Sequence, residues 1–157
     1  MLRVSRQPSG APEIFCSLQG EGVTTGRPSV FLRLAQCNLE CTWCDTKYTW
    51  DWQRYDYQQE VLTMSEKEVE DQILAFRCSN LVITGGEPLM QQKALAPLVL
   101  SLKNQGFWII GFENSINAKK WHDLDYKEKT ALVFGSEGKG IRKKVMEKCD
   151  FLATIPM

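Results

Sequence analysis

Hydrophobic positions along the chain alternate between strand-like and helical spacing. Short apolar runs that favour β-strands lie at residues 28–35, 80–84, 107–111, 131–135 and 151–155. Segments with apolar residues at helical spacing lie between them, at residues 65–77, 90–104 and 141–148. Strands that alternate with helices in this way predict an α/β fold with a parallel sheet.

Capping and turn residues mark several of the predicted boundaries. Ser65 and Glu68 have the spacing of a capping box at the start of the first helix. Gly85-Gly86 ends the apolar run at residues 80–84. Gly106 is well placed to end the second helix. Pro97 lies inside that second helix and argues against it.

Two segments lack a helical or strand period. Residues 1–12 are polar and contain Pro and Gly, which predicts a loose arm. Residues 36–60 are dense in Cys, Trp, Tyr and Asp, which predicts a long loop. The aromatic residues of this loop form either a lid over a site or internal packing, and we favour packing; they are Trp50, Trp52, Tyr55 and Tyr57.

The composition is that of a neutral globular chain of one-domain length. The 157 residues include 19 Lys and Arg and 19 Asp and Glu, and 43% are hydrophobic, which excludes wholesale disorder. A formal net charge of zero gives no global electrostatic reason to bind nucleic acid. One basic cluster is the exception, and it consists of Lys139, Arg142, Lys143, Lys144 and Lys148.

The sequence contains no segment that indicates export or membrane insertion. No apolar run approaches the length of a membrane span, and the first ten residues contain no apolar signal segment. We therefore expect a cytoplasmic protein without membrane contact. In a reducing compartment, disulfides are not expected either.

Three of the six cysteines lie within eight positions, at Cys37, Cys41 and Cys44. Thiolates at this C-x3-C-x2-C spacing can bind three irons of a [4Fe–4S] cluster, which leaves the fourth iron open to a small molecule. A zinc site and unligated cysteines are the alternatives, and ligand softness does not decide between the metals. Zinc would need a fourth ligand, and none of the candidates has a paired spacing: Cys16, Cys78, Cys149 and His122. We expect Cys16, Cys78 and Cys149 to be buried small residues.

The neighbouring motifs carry a family resemblance. They are Ser17-Leu18-Gln19-Gly20-Glu21-Gly22, Gly26-x-Pro28, Phe31-Leu32-Arg33-Leu34, Asp45-Thr46 and Thr84-Gly85-Gly86-Glu87-Pro88. With the cysteine loop between them, the region from Ile14 to about Gly106 resembles the radical S-adenosylmethionine (SAM) enzymes, and more narrowly the 7-carboxy-7-deazaguanine synthase family. The cysteine spacing alone is a moderate signal, whereas its combination with Gly-Gly-Glu-Pro is a strong one.

This resemblance implies an incomplete (β/α) radical SAM barrel over residues 1–106 with one [4Fe–4S] cluster, SAM and Mg²⁺ as cofactors. The implied reaction is the ring contraction of 6-carboxy-5,6,7,8-tetrahydropterin to 7-carboxy-7-deazaguanine, with loss of ammonia. The implied partners are a second copy of the chain and an electron donor such as flavodoxin or ferredoxin. The cluster and SAM carry the chemistry, and the protein positions them.

The resemblance also assigns site residues, with no catalytic side chain beyond the cluster ligands. The cluster ligands are Cys37, Cys41 and Cys44. The SAM-binding positions are Trp43, Cys44, Asp45, Gly86 and Glu87. The substrate positions are Leu18, Gln19, Gly20, Arg33 and Thr84, and the Mg²⁺ ligand is Thr46.

Each of three assigned side chains also has a purely structural interpretation. Arg33 suits an anionic ligand through charge-assisted hydrogen bonds, but it could equally be an exposed strand residue. Trp43 would lie along SAM, or else be a buried structural tryptophan. Thr46 supplies a hard oxygen ligand for Mg²⁺, or else caps a turn.

The pattern of the first family fails after Gly106, where a second resemblance begins. The run from Ala131 to Ile141, followed by Ile155-Pro156-Met157, resembles the knotted SPOUT-type RNA ribose 2′-O-methyltransferases. The residues that match the SAM pocket of that family are Gly135, Glu137, Gly140, Ile155 and Met157. The alternative is a glycine-rich loop between a strand and a helix. In this family the basic cluster would contact RNA phosphates, whereas otherwise it is a solvated helix face.

Two partial resemblances in one chain indicate a chimera or recombined sequence; a frameshifted or truncated gene product, or a designed sequence, would look alike. We expect residues 107–157 to form an α/β segment that packs onto the same sheet as residues 1–106. The chain is shorter than either family would require, so we expect both halves to be incomplete. The alternative functions are a SPOUT-type tRNA or rRNA methyltransferase fragment, which would bind nucleic acid, and an inactive chimera that binds SAM or the cluster.

Overall fold

The computed structural model describes residues 1–20, 24–113, 115, 117–126, 129–134, 141 and 143–154, with backbone only at Phe134 and Lys144. Its strands are β1 (Leu2–Ser5), β2 (Ile14–Leu18), β3 (Pro28–Leu34), β4 (Val61–Met64), β5 (Asn80–Gly85), β6 (Trp108–Phe112), β7 (Lys119–Lys120), β8 (Thr130–Phe134) and β9 (Phe151–Thr154). Its α-helices are α1 (Tyr57–Glu60), α2 (Glu66–Ala75), α3 (Gln92–Asn104) and α4 (Lys143–Met146). Short 3-10 helices occur at Lys47–Thr49, Pro88–Gln91 and Trp121–Asp123.

All described strands belong to one mixed sheet. Its order is β4-β1-β3-β5-β8-β6-β9-β7, with β2 paired to β3 outside this path. The strands from β3 through β5, β8, β6 and β9 to β7 are parallel. The N-terminal strands are antiparallel to their partners. The predicted α/β class with a parallel sheet is confirmed, and the antiparallel strands at one end make the sheet mixed.

The strand order changes beyond β5. In a (β/α) barrel each parallel strand pairs with the next one along the chain. Here β8 lies between β5 and β6. Ala131 of β8 pairs with Leu81 of β5 on one side and with Ile109 of β6 on the other. The segment after Gly106 therefore inserts a strand into the sheet rather than extending it at an edge.

The main core lies between the sheet and the helices α2 and α3. Strand residues Leu32, Leu81 and Ile109 are at most 1% exposed and pack in the same cluster as Ile73 of α2 and Leu98 of α3. These strand side chains alternate with residues of the opposite face, as the period of two in a strand requires. A second cluster on that opposite face contains Ile110, Tyr126, Leu132 and Ala153.

Both long helices form where the sequence predicts them. Ser65 and Glu68 make the predicted capping box at the start of α2, with both reciprocal hydrogen bonds present. Helix α3 continues through Pro97, whose side chain is exposed, so the ring does not disturb the core. None of the described helices is long and apolar enough to cross a membrane.

The prediction of a loose N-terminal arm is wrong for residues 2–5. Leu2 and Val4 are fully buried in β1, which pairs with β3 on one side and β4 on the other. Two apolar positions are too few to predict a strand from sequence, because it is the neighbouring strands that stabilise it. The prediction of one continuous loop over 36–60 is also too simple, since Lys47–Thr49 and Tyr57–Glu60 are helical turns.

Helix α4 places Cys149 against the centre of the sheet. A Cβ atom on Gly111 of β6 would lie 2.9 Å from the Cys149 sulfur. Burial raises the pKa of the Cys149 thiol to about 11. The thiol is therefore a sensitive reporter of whether the C-terminal segment is docked on the sheet.

We predict that alkylation of Cys149 by iodoacetamide keeps accelerating with pH in the folded chain. Only the thiolate reacts, so the rate should rise about tenfold per pH unit up to about pH 10. The same cysteine in the urea-unfolded chain should level off near an ordinary thiol pKa of about 8.5. Peptide mass spectrometry measures both rates. A folded-state profile that levels off with the unfolded one would show that α4 is not docked as described.

Candidate cofactor and substrate site

The three-cysteine loop begins directly after β3, at the carboxyl end of the parallel strands. Gln36 has a positive φ of 72°, which turns the chain away from the strand direction. Its N–H donates to the Thr49 carbonyl at 2.7 Å, so the two ends of the loop are tied together. Ligands of α/β proteins bind at this edge of the sheet. The loop is thus in position to form a site.

The surroundings of Cys37 include the other two cysteines of the loop. Burial raises the pKa of the Cys37 thiol, and the nearby Glu87 carboxylate and the thiols of Cys41 and Cys44 raise it further. The Cys44 N–H donates to the Cys41 carbonyl at 3.2 Å, which closes a turn between these two cysteines. All six cysteines of the chain are free thiols.

Hydrogen-bond donors surround two of the sulfurs. The Leu39 N–H donates to Cys37 Sγ at 3.3 Å. Trp50 Nε1 donates to Cys44 Sγ at 3.4 Å, and Thr46 Oγ1 lies 3.6 Å from the same sulfur. Burial acts to raise the pKa of Cys44, but these hydrogen bonds outweigh it and the pKa lies below its ordinary value. Donors of this kind stabilise a thiolate and tune the potential of an iron–sulfur cluster.

The donor chemistry of the loop fits a [4Fe–4S] cluster. In the described part of the chain, no group of three or more His, Cys, Asp and Glu side chains is arranged to hold a single metal ion. A cubane cluster makes a different demand, because each thiolate binds a different iron and the sulfurs need not converge on one point. Cys37, Cys41 and Cys44 would be its ligands.

The Gly-Gly-Glu segment packs directly on the start of the cysteine loop. The Gly86 N–H donates to the Leu34 carbonyl at 2.9 Å, and the Glu87 N–H donates to the Gln36 carbonyl at 2.8 Å. A Cβ atom on Gly86 would overlap the Gln36 carbonyl and lie 3.0 Å from the Cys37 Cβ. Only glycine permits this approach. The parallel pairing of β3 and β5 therefore brings together the two motifs that the sequence separates by some forty residues.

Glu87 is buried and serves a structural purpose. Its carboxylate accepts a hydrogen bond from the Leu89 N–H at 3.0 Å and caps the 3-10 helix Pro88–Gln91. This places the negative charge beside Cys37, whose pKa it raises.

Gln91 is a residue of this region that the sequence did not reveal. Its buried amide donates to the carbonyls of Arg3 and Ala35, both at 2.9 Å, and accepts from the Arg3 N–H at 2.7 Å. These bonds fix the end of β3 two residues before Cys37. A glutamine three residues after Pro88 and next to a second glutamine gives no sequence signal for such a role.

Trp43 and Asp45 flank Cys44 on the outside of the loop. Trp43 is 77% exposed, which excludes the interpretation of a buried structural tryptophan. Asp45 is exposed as well. Thr46 stands at the start of the 3-10 helix Lys47–Thr49, where its carbonyl accepts from the Thr49 N–H at 2.9 Å and from the Thr49 hydroxyl at 2.8 Å. Its hydroxyl faces the Cys44 sulfur.

Arg33 lies opposite Thr84 in the parallel pair of β3 and β5. It is 22% exposed, so it is not an exposed strand residue. Its Nε donates to Glu13 Oε1 at 2.8 Å. The hydroxyl of Tyr48 donates to the same carboxylate, at 3.0 Å from Oε1 and 2.9 Å from Oε2. Glu13 and Tyr48 were not among the sequence-predicted site residues.

The remaining predicted substrate positions lie at the other end of β3. Leu18 pairs with Pro28, and the Gln19 N–H donates to the Arg27 carbonyl at 2.9 Å. Five residue steps along the strand, or about 17 Å, separate Pro28 from Arg33. The structure does not bring Leu18, Gln19 and Gly20 together with Arg33 and Thr84.

The residues of the alternative SAM pocket lie outside the described residues; they are Gly135, Glu137, Gly140, Ile155 and Met157. The same holds for Lys139 and Arg142 of the basic cluster, and only the backbone of Lys144 is described. Lys143 and Lys148 are both exposed.

The remaining cysteines and the aromatic residues of the loop differ in their burial and contacts. Cys16 is exposed, so its prediction as a buried residue is wrong: it lies on β2, whose side chains are mostly solvated. Cys78 is partly buried, and its thiol donates to the Pro28 carbonyl at 3.0 Å. The aromatic rings pair within the loop, Trp52 with Tyr57 at 4.9 Å and Tyr48 with Tyr55 at 6.4 Å between centroids.

Comparison with known proteins finds two similarities. The model of the SpoU rRNA Methylase family matches residues 59–157. This is more than half of the chain, and the chain belongs to that family. The match begins ahead of residue 107 and includes Gly85-Gly86-Glu87-Pro88, so it overlaps the region with the other resemblance.

The second similarity is to 7-carboxy-7-deazaguanine synthases. The protein of that name from Pyrobaculum aerophilum is 44% identical over 96 residues, which are 60% of this chain and 40% of the relative. The one from Rhodospirillum rubrum is 33% identical over 141 residues, which are 88% of this chain and 54% of the relative. The chain thus spans about half or less of the length of these curated relatives.

A solved structure supports the fold. The crystal structure of QueE from Escherichia coli aligns with a TM-score of 0.53 and 24% sequence identity, and the alignment covers 97% of this chain and 70% of that one. The chain therefore has an α/β fold that resembles the fold of that structure. Its two similarities are consistent with the suspected chimera.

We predict that Gly86→Ala destabilises the chain by about 1–3 kcal/mol, because the added methyl must displace the backbone at Gln36. The same displacement moves Cys37, so less iron should be retained after anaerobic reconstitution. Thermal unfolding and iron analysis measure the two effects. Gly20→Ala is the matched control, since no described residue lies within 4 Å of a Cβ atom there. Equal stability and iron content in both variants would contradict the described packing.

Proposed function

We propose that the chain is a radical SAM protein of the 7-carboxy-7-deazaguanine synthase type. The observation that carries the proposal is the contact of Gly86 and Glu87 with the start of the cysteine loop. It creates a cradle of backbone atoms beside three thiols, at the carboxyl edge of the sheet. The similarity to synthases of that name supports the same function.

The residues divide the work by their chemistry. Cys37, Cys41 and Cys44 would hold the cluster, which would supply the electron for cleavage of SAM. Gly86 would admit the amino-acid end of SAM to the sheet edge, and the exposed Trp43 and Asp45 would contact SAM. Thr46 contributes a hydroxyl to a Mg²⁺ site.

The proposed substrate is 6-carboxy-5,6,7,8-tetrahydropterin, whose ring contracts to 7-carboxy-7-deazaguanine with release of ammonia. Arg33 binds the substrate carboxylate through charge-assisted hydrogen bonds, with Thr84 beside it. Leu18, Gln19 and Gly20 contribute only if their hairpin moves toward the site. The working assembly is a homodimer in the cytoplasm, reduced by a flavodoxin or ferredoxin.

We predict that anaerobic reconstitution with iron and sulfide gives a brown protein with about four irons per chain and an absorption band at about 400 nm. Cys41→Ser should lose both, whereas Cys149→Ser should keep both because it lies outside the loop. With dithionite, SAM, Mg²⁺ and the pterin, chromatography should detect the deazaguanine product, and an ammonia assay should detect the released ammonia. Stoichiometric zinc without the visible band would refute the proposal.

A second function has its own observation, the SpoU family match over residues 59–157. In this proposal the C-terminal part binds SAM and transfers its methyl group to the ribose of tRNA or rRNA, with the basic cluster on RNA phosphates. Methylation of RNA by the Cys37/Cys41/Cys44→Ser triple variant would favour it. Cluster binding without cleavage of SAM, and without methylation, would identify an inactive binding protein instead.

A further inference from the structure

The Glu13, Arg33 and Tyr48 side chains form one hydrogen-bonded network. Glu13 precedes β2, Arg33 lies on β3, and Tyr48 lies in the 3-10 helix that follows the cysteine loop. The Arg33–Glu13 ion pair spans 2.8 Å, with 22% and 14% of the two side chains exposed. The ion pair is therefore sheltered from water. A sheltered ion pair is screened much less than one on the surface.

Most of the N–H donors of the Arg33 guanidinium are left for a ligand within the described part of the chain. Arginine carries five N–H donors in a rigid plane. Within the part of the chain that the structure describes, the Arg33 side chain donates one hydrogen bond. It runs from Arg33 Nε to Glu13 Oε1. The bond fixes the plane of the guanidinium, so the direction of its terminal nitrogens is set before a ligand arrives.

Tyr48 fixes the carboxylate in turn. Its hydroxyl lies within 3.0 Å of both Glu13 oxygens, so the carboxylate cannot rotate without losing a hydrogen bond.

The network also connects the arginine to the cysteine loop. Tyr48 is four residues beyond Cys44, and its helix is tied to the start of the loop by the bond from Gln36 to Thr49. A displacement of the loop would thus be transmitted to the carboxylate that orients Arg33.

We propose that Glu13 and Tyr48 are positioning residues, which hold the guanidinium of Arg33 ready for the carboxylate of an anionic ligand. This inference rests on the proposed function for the identity of the ligand, a carboxylated tetrahydropterin. The orientation of Arg33 does not depend on the proposed function, and it can be measured without ligand.

The first test observes Arg33 directly. In the wild-type chain, the Nε–Hε signal of Arg33 in a ¹⁵N NMR spectrum should be sharp and protected from solvent exchange, and Arg33→Lys assigns it. Glu13→Gln should shift the signal and speed its exchange, and Tyr48→Phe should do so to a smaller extent. Tyr55→Phe is the control, because Tyr55 contacts the Tyr48 ring without bonding to Glu13. A signal unchanged in Glu13→Gln would overturn the proposal.

The second test measures carboxylate discrimination. The ratio of affinities for tetrahydropterin with and without its 6-carboxylate is determined in the reconstituted protein with SAM. We expect Glu13→Gln to reduce this ratio about tenfold and Tyr48→Phe about threefold, while affinity for the uncarboxylated ligand stays constant. A merely structural defect would instead weaken both ligands together. If Glu13→Gln does not fold, as judged by thermal unfolding, Tyr48→Phe carries the test.

The outcomes separate the two proposals. If the wild type shows no discrimination and Arg33→Ala changes nothing, the proposed substrate is wrong, and the NMR signal alone decides the role of Glu13 and Tyr48. If Arg33→Ala abolishes discrimination but Glu13→Gln and Tyr48→Phe keep it, the substrate stands and the positioning role is refuted.

Discussion

The parallel pairing of β3 with β5 is the constraint on which the candidate site depends. Its register sets Leu34 opposite Gly85, so the chain leaves both strands at the same level. The cysteine loop then starts where the glycines end, and the backbones touch because no side chain stands between them. A slip of one residue would turn every β3 side chain to the other face and would separate the two motifs.

Much of this arrangement was predictable from sequence, because it rests on local patterns. The capping box at Ser65 and the apolar run before Gly85 each report a local preference, and the structure has the helix and the strand they predict. The burial of Leu2 and the clasp made by Gln91 were not predictable. Both depend on partners more than thirty residues away, and only the assembled sheet brings those partners close.

The Glu13–Arg33 pair illustrates the same limit within the site. The motif around Arg33 indicated an anionic ligand, but it could not show that a carboxylate of the protein already occupies Nε. The placement of Leu18 is a second instance, since the hairpin register that carries it to the far end of β3 depends on turn residues and cross-strand pairs. Sequence motifs identify which residues belong to a site more readily than where each one stands.

The position of β8 has a consequence for how the two resemblances came to share one chain. Because β8 covers the free edge of β5, the C-terminal segment is not an appendage that could be trimmed away. Its removal would uncover an edge strand with four buried residues in succession, the kind of surface that pairs with other chains. The segments that carry the two resemblances thus share one sheet, in which loss of the C-terminal segment would leave β5 open to aggregation.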